Sequence, residues 1–255
     1  MLFSTKIKKN AFDAIVNDIE HSVPDSKISS GSQNAYCFLH GPADTGKAFV
    51  YNDLCNYFRS QEKIVLCVAS SGIVSLLLSG ERTSHFRLKI PITINETSLC
   101  YITKKGHLAD LLRGTTLIIC DEVPMQNKLC FEAVDRSLKD ICGNDKLFDG
   151  IPVVLDGDFA QIPPVVKNGN CAMIVDVSIK NSYIWSRITV IQLRINMRVR
   201  RTTSNDAQFK KWLDLITYHT RFQNQNMSIS DYISQHFHLT SSFARYISSK
   251  VLRDH

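Results

Sequence analysis

The chain has 255 residues, 44% of them hydrophobic, with 30 Lys and Arg against 24 Asp and Glu for a formal net charge of +6. That suffices to bury one domain-sized core with extensions, and the mildly basic balance permits contact with nucleic acid without requiring it. No run approaches the ~20 apolar residues needed to cross a bilayer. The opening residues carry Lys6, Lys8 and Lys9 without the apolar stretch of a secretory leader, so a soluble protein is expected.

In chain order, Ala11, Phe12, Ile15, Val16 and Ile19 have helical apolar spacing and predict a helix over 11–20. A polar linker with Ser and Gly follows over 21–34. Residues 35–39 are a short apolar strand that runs into Gly41-Pro42-Ala43-Asp44-Thr45-Gly46-Lys47-Ala48, and a helix should begin near Lys47. Residues 63–69 form a second buried strand, followed by Gly72 and an apolar helix to Leu78.

A third strand over 115–120 ends in Asp121-Glu122. Residues 125–141 then read as an amphipathic helix with Leu129, Ala133, Leu138 and Ile141 on one side. The fourth strand, 152–155, ends in Asp156-Gly157-Asp158, and the fifth, 189–193, runs toward Asn196-Met197-Arg198. Past Arg201 the sequence turns polar, with one more helix expected over 209–216. The organisation is an N-terminal helix and linker (1–34), an α/β lobe (35–200) and a helix with a divergent tail (201–255).

Apolar strands alternating with helices predict an α/β fold with a mostly parallel sheet, helices on both faces. Ligands of such sheets bind outside the carboxyl ends of the strands, so the three polar clusters after strands one, three and four should converge on one crevice. The eight cysteines contain no C-x-x-C pair and several lie in apolar runs, which reads as buried, reduced thiols of an intracellular protein. His236 and His238 lack partner ligands at useful spacing and read as a surface pair.

Residues 41–48 fit the phosphate loop G-x-x-x-x-G-K-[ST] at every fixed position but the last. Gly41, Thr45 and Gly46 shape a loop whose backbone N–H groups wrap phosphates, and Lys47 neutralises their charge. Ala48 stands where a hydroxyl would ligate magnesium, and Asp44 sets a carboxylate toward the phosphates. Asp121 can hold a magnesium-bound water and Glu122 can polarise an attacking one. Gln161 both donates and accepts hydrogen bonds, so it can reach a γ-phosphate or its water; the plainer reading is a Gly-Asp turn into Pro163-Pro164. Arg198 can stabilise charge developing on that phosphate, or serve as a surface charge in the basic run from Arg194 to Arg201.

Together the segments resemble the Pif family of DNA helicases, including the helicase domains of Helitron-type transposons. The resemblance runs from about Asn10 to Leu213. It is carried by His40-Gly41-Pro42 with Thr45-Gly46-Lys47, Ala69-Ser70-Ser71-Gly72-Ile73, Arg82-Thr83-Ser84-His85, Lys89-Ile90-Pro91 and Asp121-Glu122-Val123-Pro124-Met125. Cys130-Phe131-Glu132-Ala133, Gly157-Asp158-Phe159 with Gln161-Ile162, Pro164-Val165-Val166 and Asn196-Met197-Arg198 complete it.

The resemblance implies a RecA-like P-loop NTPase lobe of superfamily one, with ATP and Mg2+ as cofactors and ATP hydrolysis coupled to 5′→3′ unwinding. It also implies single-stranded or partly duplex DNA as partner, nuclear localisation, and roles in DNA repair, recombination and telomere maintenance. By motif match Lys47 binds phosphate, Asp121 holds Mg2+, Glu122 activates water, Gln161 senses the γ-phosphate and Arg198 is an arginine finger. Ser71, Gly72, Thr83 and His85 fall on the single-strand DNA track.

The departures are Ala43-Asp44 in place of Gly-Gly, Ala48 in place of Thr or Ser, and Lys8 where the family has an adenine-contacting glutamine. The second RecA-like lobe is expected to be absent. Two readings stay open: an ATP-dependent DNA helicase represented by its first lobe, and a non-catalytic nucleotide- or DNA-binding remnant of one. A nucleotide kinase fits the loop but not the Gly-Asp-Phe-x-Gln and Thr83/His85 segments.

Overall fold

Six strands hydrogen-bond in the order β3-β2-β4-β5-β1-β6, and every recorded ladder is parallel. In this computed structural model the described residues are 2–21, 36–43, 45–72 and 82–195. The strands are β1 (Tyr36–His40), β2 (Ile64–Ala69), β3 (Arg82–Thr83), β4 (Thr115–Asp121), β5 (Val153–Gly157) and β6 (Thr189–Gln192). The helices are α1 (Leu2–His21), α2 (Lys47–Ser60), α3 (Ser84–Arg87), α4 (His107–Arg113), α5 (Lys128–Cys142) and α6 (Cys171–Asp176).

Because successive side chains of a strand point to opposite faces, each apolar strand feeds two cores. Cys37, Leu39, Val65, Cys67, Leu117, Ile119 and Val154 face α1 and α2, packing with Ile15, Ile19, Leu54 and Phe58. Tyr36, Phe38, Leu66, Val68, Ile118, Cys120, Val153 and Leu155 face α4 and α5, packing with Leu112, Val134 and Leu138. This double burial is why the strands read as continuous apolar runs, and it bears out the expected parallel sheet covered on both faces.

The elements differ from expectation at their edges. α1 starts at Leu2 rather than Ala11. The helix expected from 125 starts at Lys128, because Pro124 sits in a 3-10 turn (Val123–Met125) and the Asn127 side chain then caps α5 by accepting from Leu129 N–H. Leu129 is only half-buried. Ala133, Leu138 and Ile141 are in the core as expected, joined there by Cys130, Phe131 and Val134.

Asp156 and Gly157 belong to β5 rather than following it. The edge strand β3 was not expected, since two residues paired to Val68 and Ala69 leave no periodic signal. α4 and α6 are likewise additions. Six of the eight cysteines are buried as expected, whereas Cys142 is half-buried and Cys171 is exposed.

These elements belong to one unit, Met1–Arg201. Asp44, the helix expected after Gly72 to Leu78, Arg198, His236, His238 and the C-terminal helix and tail lie outside the described residues. Among the described residues, no helix is long and apolar enough to cross a membrane.

Candidate functional site

All six strands point their carboxyl ends at the same edge, and the register aligns the functional positions along it. Thr83 pairs with Ala69, Ala69 with Asp121, and His40 with both Gly157 and Gln192. The expected convergence of the polar clusters therefore follows from topology.

The loop between β1 and α2 is closed by its own side chains. Thr45 Oγ1 donates to Pro42 O at 2.8 Å, and Lys47 Nζ donates to Gly41 O at 2.8 Å and Pro42 O at 3.4 Å. Gly46 adopts φ 92°, ψ 26°, a left-handed geometry that only glycine takes without strain, and it begins α2 with no side-chain cap. A Cβ on Gly41 would stand 2.6 Å from Thr45 Oγ1 and 2.7 Å from Leu193 O, so the loop closes tightly against the chain just past β6. Ala48, in the first turn of α2, is exposed.

Opposite the loop, β4 delivers Asp121, and Glu122 turns the chain with φ 52°, ψ 43°. Ser70 fastens this end by donating both its N–H and its hydroxyl to Asp121 O, each at 3.1 Å. From β5, Asp158 Oδ1 accepts from Ala160 N–H at 3.0 Å and Asp158 O accepts from Gln161 N–H at 3.1 Å, an Asx-type turn. Phe159 anchors that turn, stacking on Phe38 at 5.0 Å and meeting Trp185 edge-on at 5.6 Å, with Lys180 Nζ 3.8 Å over its ring.

The electrostatics tie the pieces together. Burial pushes the Asp121 carboxyl above the ordinary carboxylate range, opposed by the Glu122 backbone N–H and by Lys47. Burial also raises Glu122, helped by Asp121 and Asp158 and opposed by Lys47. Asp156 is fully buried and raised furthest by desolvation, with Lys47 again pulling down. Lys47 is thus the cation that acts on the carboxylates from two other strand ends. Glu122 Oε2 and Asp156 Oδ1 are buried without hydrogen-bond partners among the described residues. A carboxylate with a raised pKa and an unused oxygen is suited to accept a proton.

Gly41, Thr45, Gly46, Lys47, Asp121 and Glu122 are brought together. Gln161 is exposed just beyond the Asp158 turn, and Arg198 lies outside the described residues. Ser71 and Gly72 follow β2. Thr83 caps α3, its Oγ1 accepting from Phe86 N–H at 3.3 Å, and His85 Nδ1 lies 3.2 Å from Ile90 O. A carbonyl only accepts, so His85 donates from Nδ1 in this contact.

Sequence reasoning passed over three groups. In the sequence Asp156 reads as strand punctuation, although an acid next to Leu155 at a strand end is itself a signal of a buried charge. Phe159, Lys180 and Trp185, which seat the turn, are joined only in space. Ser84 and Gln126 exchange hydrogen bonds at 3.1 and 2.8 Å and fasten the start of α3 to the segment after Glu122. Nothing in the chain order pairs them.

A family model described as PIF1-like helicase matches residues 8–228. The chain is 30% identical over 188 residues to the ATP-dependent DNA helicase Pif1 of a Psychrobacter species, covering 73% of this chain and 28% of that protein. It is 29% identical over 186 residues to the ATP-dependent DNA helicase Pif1 of Campylobacter jejuni, covering 70% of this chain and 40% of that one. Among solved structures, Bacteroides Pif1 bound to ssDNA superposes with a TM-score of 0.61 at 25% identity, over 72% of this chain and 43% of that chain. The chain thus spans less than half the length of each of these relatives.

Proposed function

Because the chain belongs to the PIF1-like helicase family, we propose that it is the first, nucleotide-binding lobe of an ATP-dependent DNA helicase that works on single-stranded or partly duplex DNA. The observation that carries this reading is the meeting of Lys47, Asp121 and Glu122 from different strand ends, with Glu122 Oε2 buried and unpaired among the described residues.

The polyphosphate fits the loop. Lys47 Nζ, held on the Gly41 and Pro42 carbonyls, is the cation that transfers to phosphate oxygens, and the uncapped start of α2 offers backbone N–H groups. Glu122 holds the proton of an attacking water at Oε2, its raised pKa bringing its basicity closer to neutrality. In this reading the Gln161 amide orients the γ-phosphate or that water, and Arg198 stabilises the charge that develops. Ser71, Gly72, Thr83 and His85 line the DNA-facing edge beside the nucleotide, where short hydroxyls and backbone N–H groups contact phosphates.

Magnesium fits less well. Asp121 offers one carboxylate, but position 48 presents a methyl group where a hydroxyl ligand is needed, so no step here passes through the metal. That methyl supports the second reading, in which the chain binds nucleotide or DNA without turnover.

Nucleotide binding and DNA-stimulated ATP hydrolysis by the 255-residue chain test both readings. Binding that Lys47→Ala leaves unchanged would refute the proposed site. Binding with negligible hydrolysis is expected, and robust turnover abolished by Lys47→Ala would discard the second reading. The double change Asp44→Gly with Ala48→Thr should improve affinity in the presence of Mg2+. Binding to single-stranded DNA should weaken as salt is added, because phosphate contacts release counterions.

A further inference from the structure

Lys8 reaches the phosphate loop from a different element. It lies on α1, half-buried, and its side chain crosses the loop at Gly46: a Cβ built there would stand 2.3 Å from Lys8 Cε and 2.8 Å from Lys8 Nζ. Its ammonium also sits 4.6 Å from the centre of the Phe49 ring, in the first turn of α2. Glycine at position 46 therefore serves two purposes. It gives the left-handed φ of 92°, and it leaves the space that the Lys8 stem fills.

The charge arrangement is uneven. The start of α2 is the positive end of a 14-residue helix dipole, with Lys47 in its first turn, Lys8 over it and no acidic residue in that turn. Asp44, in the loop before it, lies outside the described residues. Among the described residues no carboxylate forms an ion pair with Lys8. Cations at the amino end of a helix are disfavoured unless an anion joins them. A polyphosphate carries that charge, and two lysines offer it more than the loop motif alone requires. The same loop lacks the hydroxyl at position 48 through which a metal would otherwise screen the phosphates.

We propose that Lys8 is a second phosphate-binding cation of the loop, and that with Lys47 it lets the chain hold a nucleoside di- or triphosphate without a divalent metal. The proposal rests on the nucleotide-binding reading above and assigns a residue outside the loop motif to the same site. Phe49 positions the Lys8 ammonium over its ring face, and α1 supplies the rigid support because Ala11, Ile15, Val16 and Ile19 are buried in the core it shares with α2.

The test is equilibrium titration of the full chain with fluorescent mant-ADP, once with Mg2+ and once with EDTA. The wild-type chain should bind about equally in both. Lys8→Met, which keeps the alkyl stem over Gly46 and Phe49, should weaken binding in EDTA at least about tenfold, the scale of one lost charge-assisted contact. Lys8→Arg should restore it. Circular dichroism of each variant should show an unchanged melt.

Wild-type binding that needs Mg2+, or Lys8→Met binding as tightly as wild type, overturns the proposal. It does so with the nucleotide site intact when Lys47→Ala still loses binding. A wild-type chain that binds mant-ADP in neither condition overturns the site and the proposal together.

Discussion

Gly157→Ala isolates the contact that holds two of the site's strand ends together. Gly157 ends β5 with φ 146°, and its Cα faces Pro124 in the turn that follows Asp121-Glu122. An added Cβ would stand 2.2 Å from Pro124 Cδ and 2.8 Å from Cγ. Those atoms belong to a buried ring closed on its own backbone, so they cannot swing aside as the tip of a long side chain would. Two costs add. A non-glycine residue at such a φ costs about 1–3 kcal/mol, and forcing an extra carbon into packed surroundings costs about 1–3 kcal/mol more.

The expected loss is therefore about 4 kcal/mol, or a fall in Tm of roughly 8–16 °C for a domain of this size. Gly143→Ala is the matched control. Gly143 ends α5 at φ 80° with nothing within 4 Å of an added Cβ, so it should cost only the backbone strain, about 1 kcal/mol. Thermal and urea denaturation followed by circular dichroism measure both. If Gly157→Ala lost no more than Gly143→Ala, the claimed packing of β5 against the Pro124 turn would be wrong.

The remaining predictions concern buried charge, a buried acceptor and the thiols. Asp156 has its pKa raised well above 3.8 by burial, so the folded chain binds its proton where the unfolded chain does not. Its contribution to stability is full below about pH 4 and is lost as pH rises through the folded value. Asp156→Asn should accordingly raise Tm at pH 7 relative to its effect at pH 4, and equal shifts at the two pH values would contradict the assignment.

Asp135, fully buried, accepts from Phe148 N–H at 2.5 Å, Tyr183 OH at 2.6 Å and Lys139 Nζ at 2.8 Å. Asp135→Ala strands those donors and should cost about 3 kcal/mol in a urea titration, against under 1 kcal/mol for removing the exposed Lys104–Asp140 pair. In native buffer a thiol reagent should label Cys171 first and Cys142 slowly, since Cys171 is exposed and burial pushes the Cys142 thiol up to about 11. Cys55 is drawn down to about 7, chiefly by its hydrogen bond with Cys67, yet its burial should keep it unlabelled. Mass-spectrometric mapping that found Cys55 labelled alongside Cys171 would reverse that ranking.

Much of the fold was legible because parallel strands buried on both faces must be apolar throughout. The segments around Phe38, Leu66, Ile118 and Val154 announce themselves by composition, and the residues that follow them mark the functional edge. Elements without such a signature were not legible. β3 is two polar residues whose strand character exists only through hydrogen bonds to β2, and the start of α5 depended on whether Pro124 opened the helix or a turn before it. The loop residues and Asp121-Glu122 were readable from motif chemistry, whereas the roles of Phe159 and Lys180 depended on which aromatic rings they met.

By itself the sequence determined the family, the five apolar strands in their order, and the residue types at the strand ends, because spacing and polarity are local properties. Only the tertiary structure decided which charges act on one another. Lys47 influences Asp121, Glu122 and Asp156 because β1 inserts between β5 and β6. Lys8 crosses Gly46 because α1 packs on α2. Sequence separation has no bearing on electrostatic distance, so the chain order that names the loop cannot say how many cations stand over it.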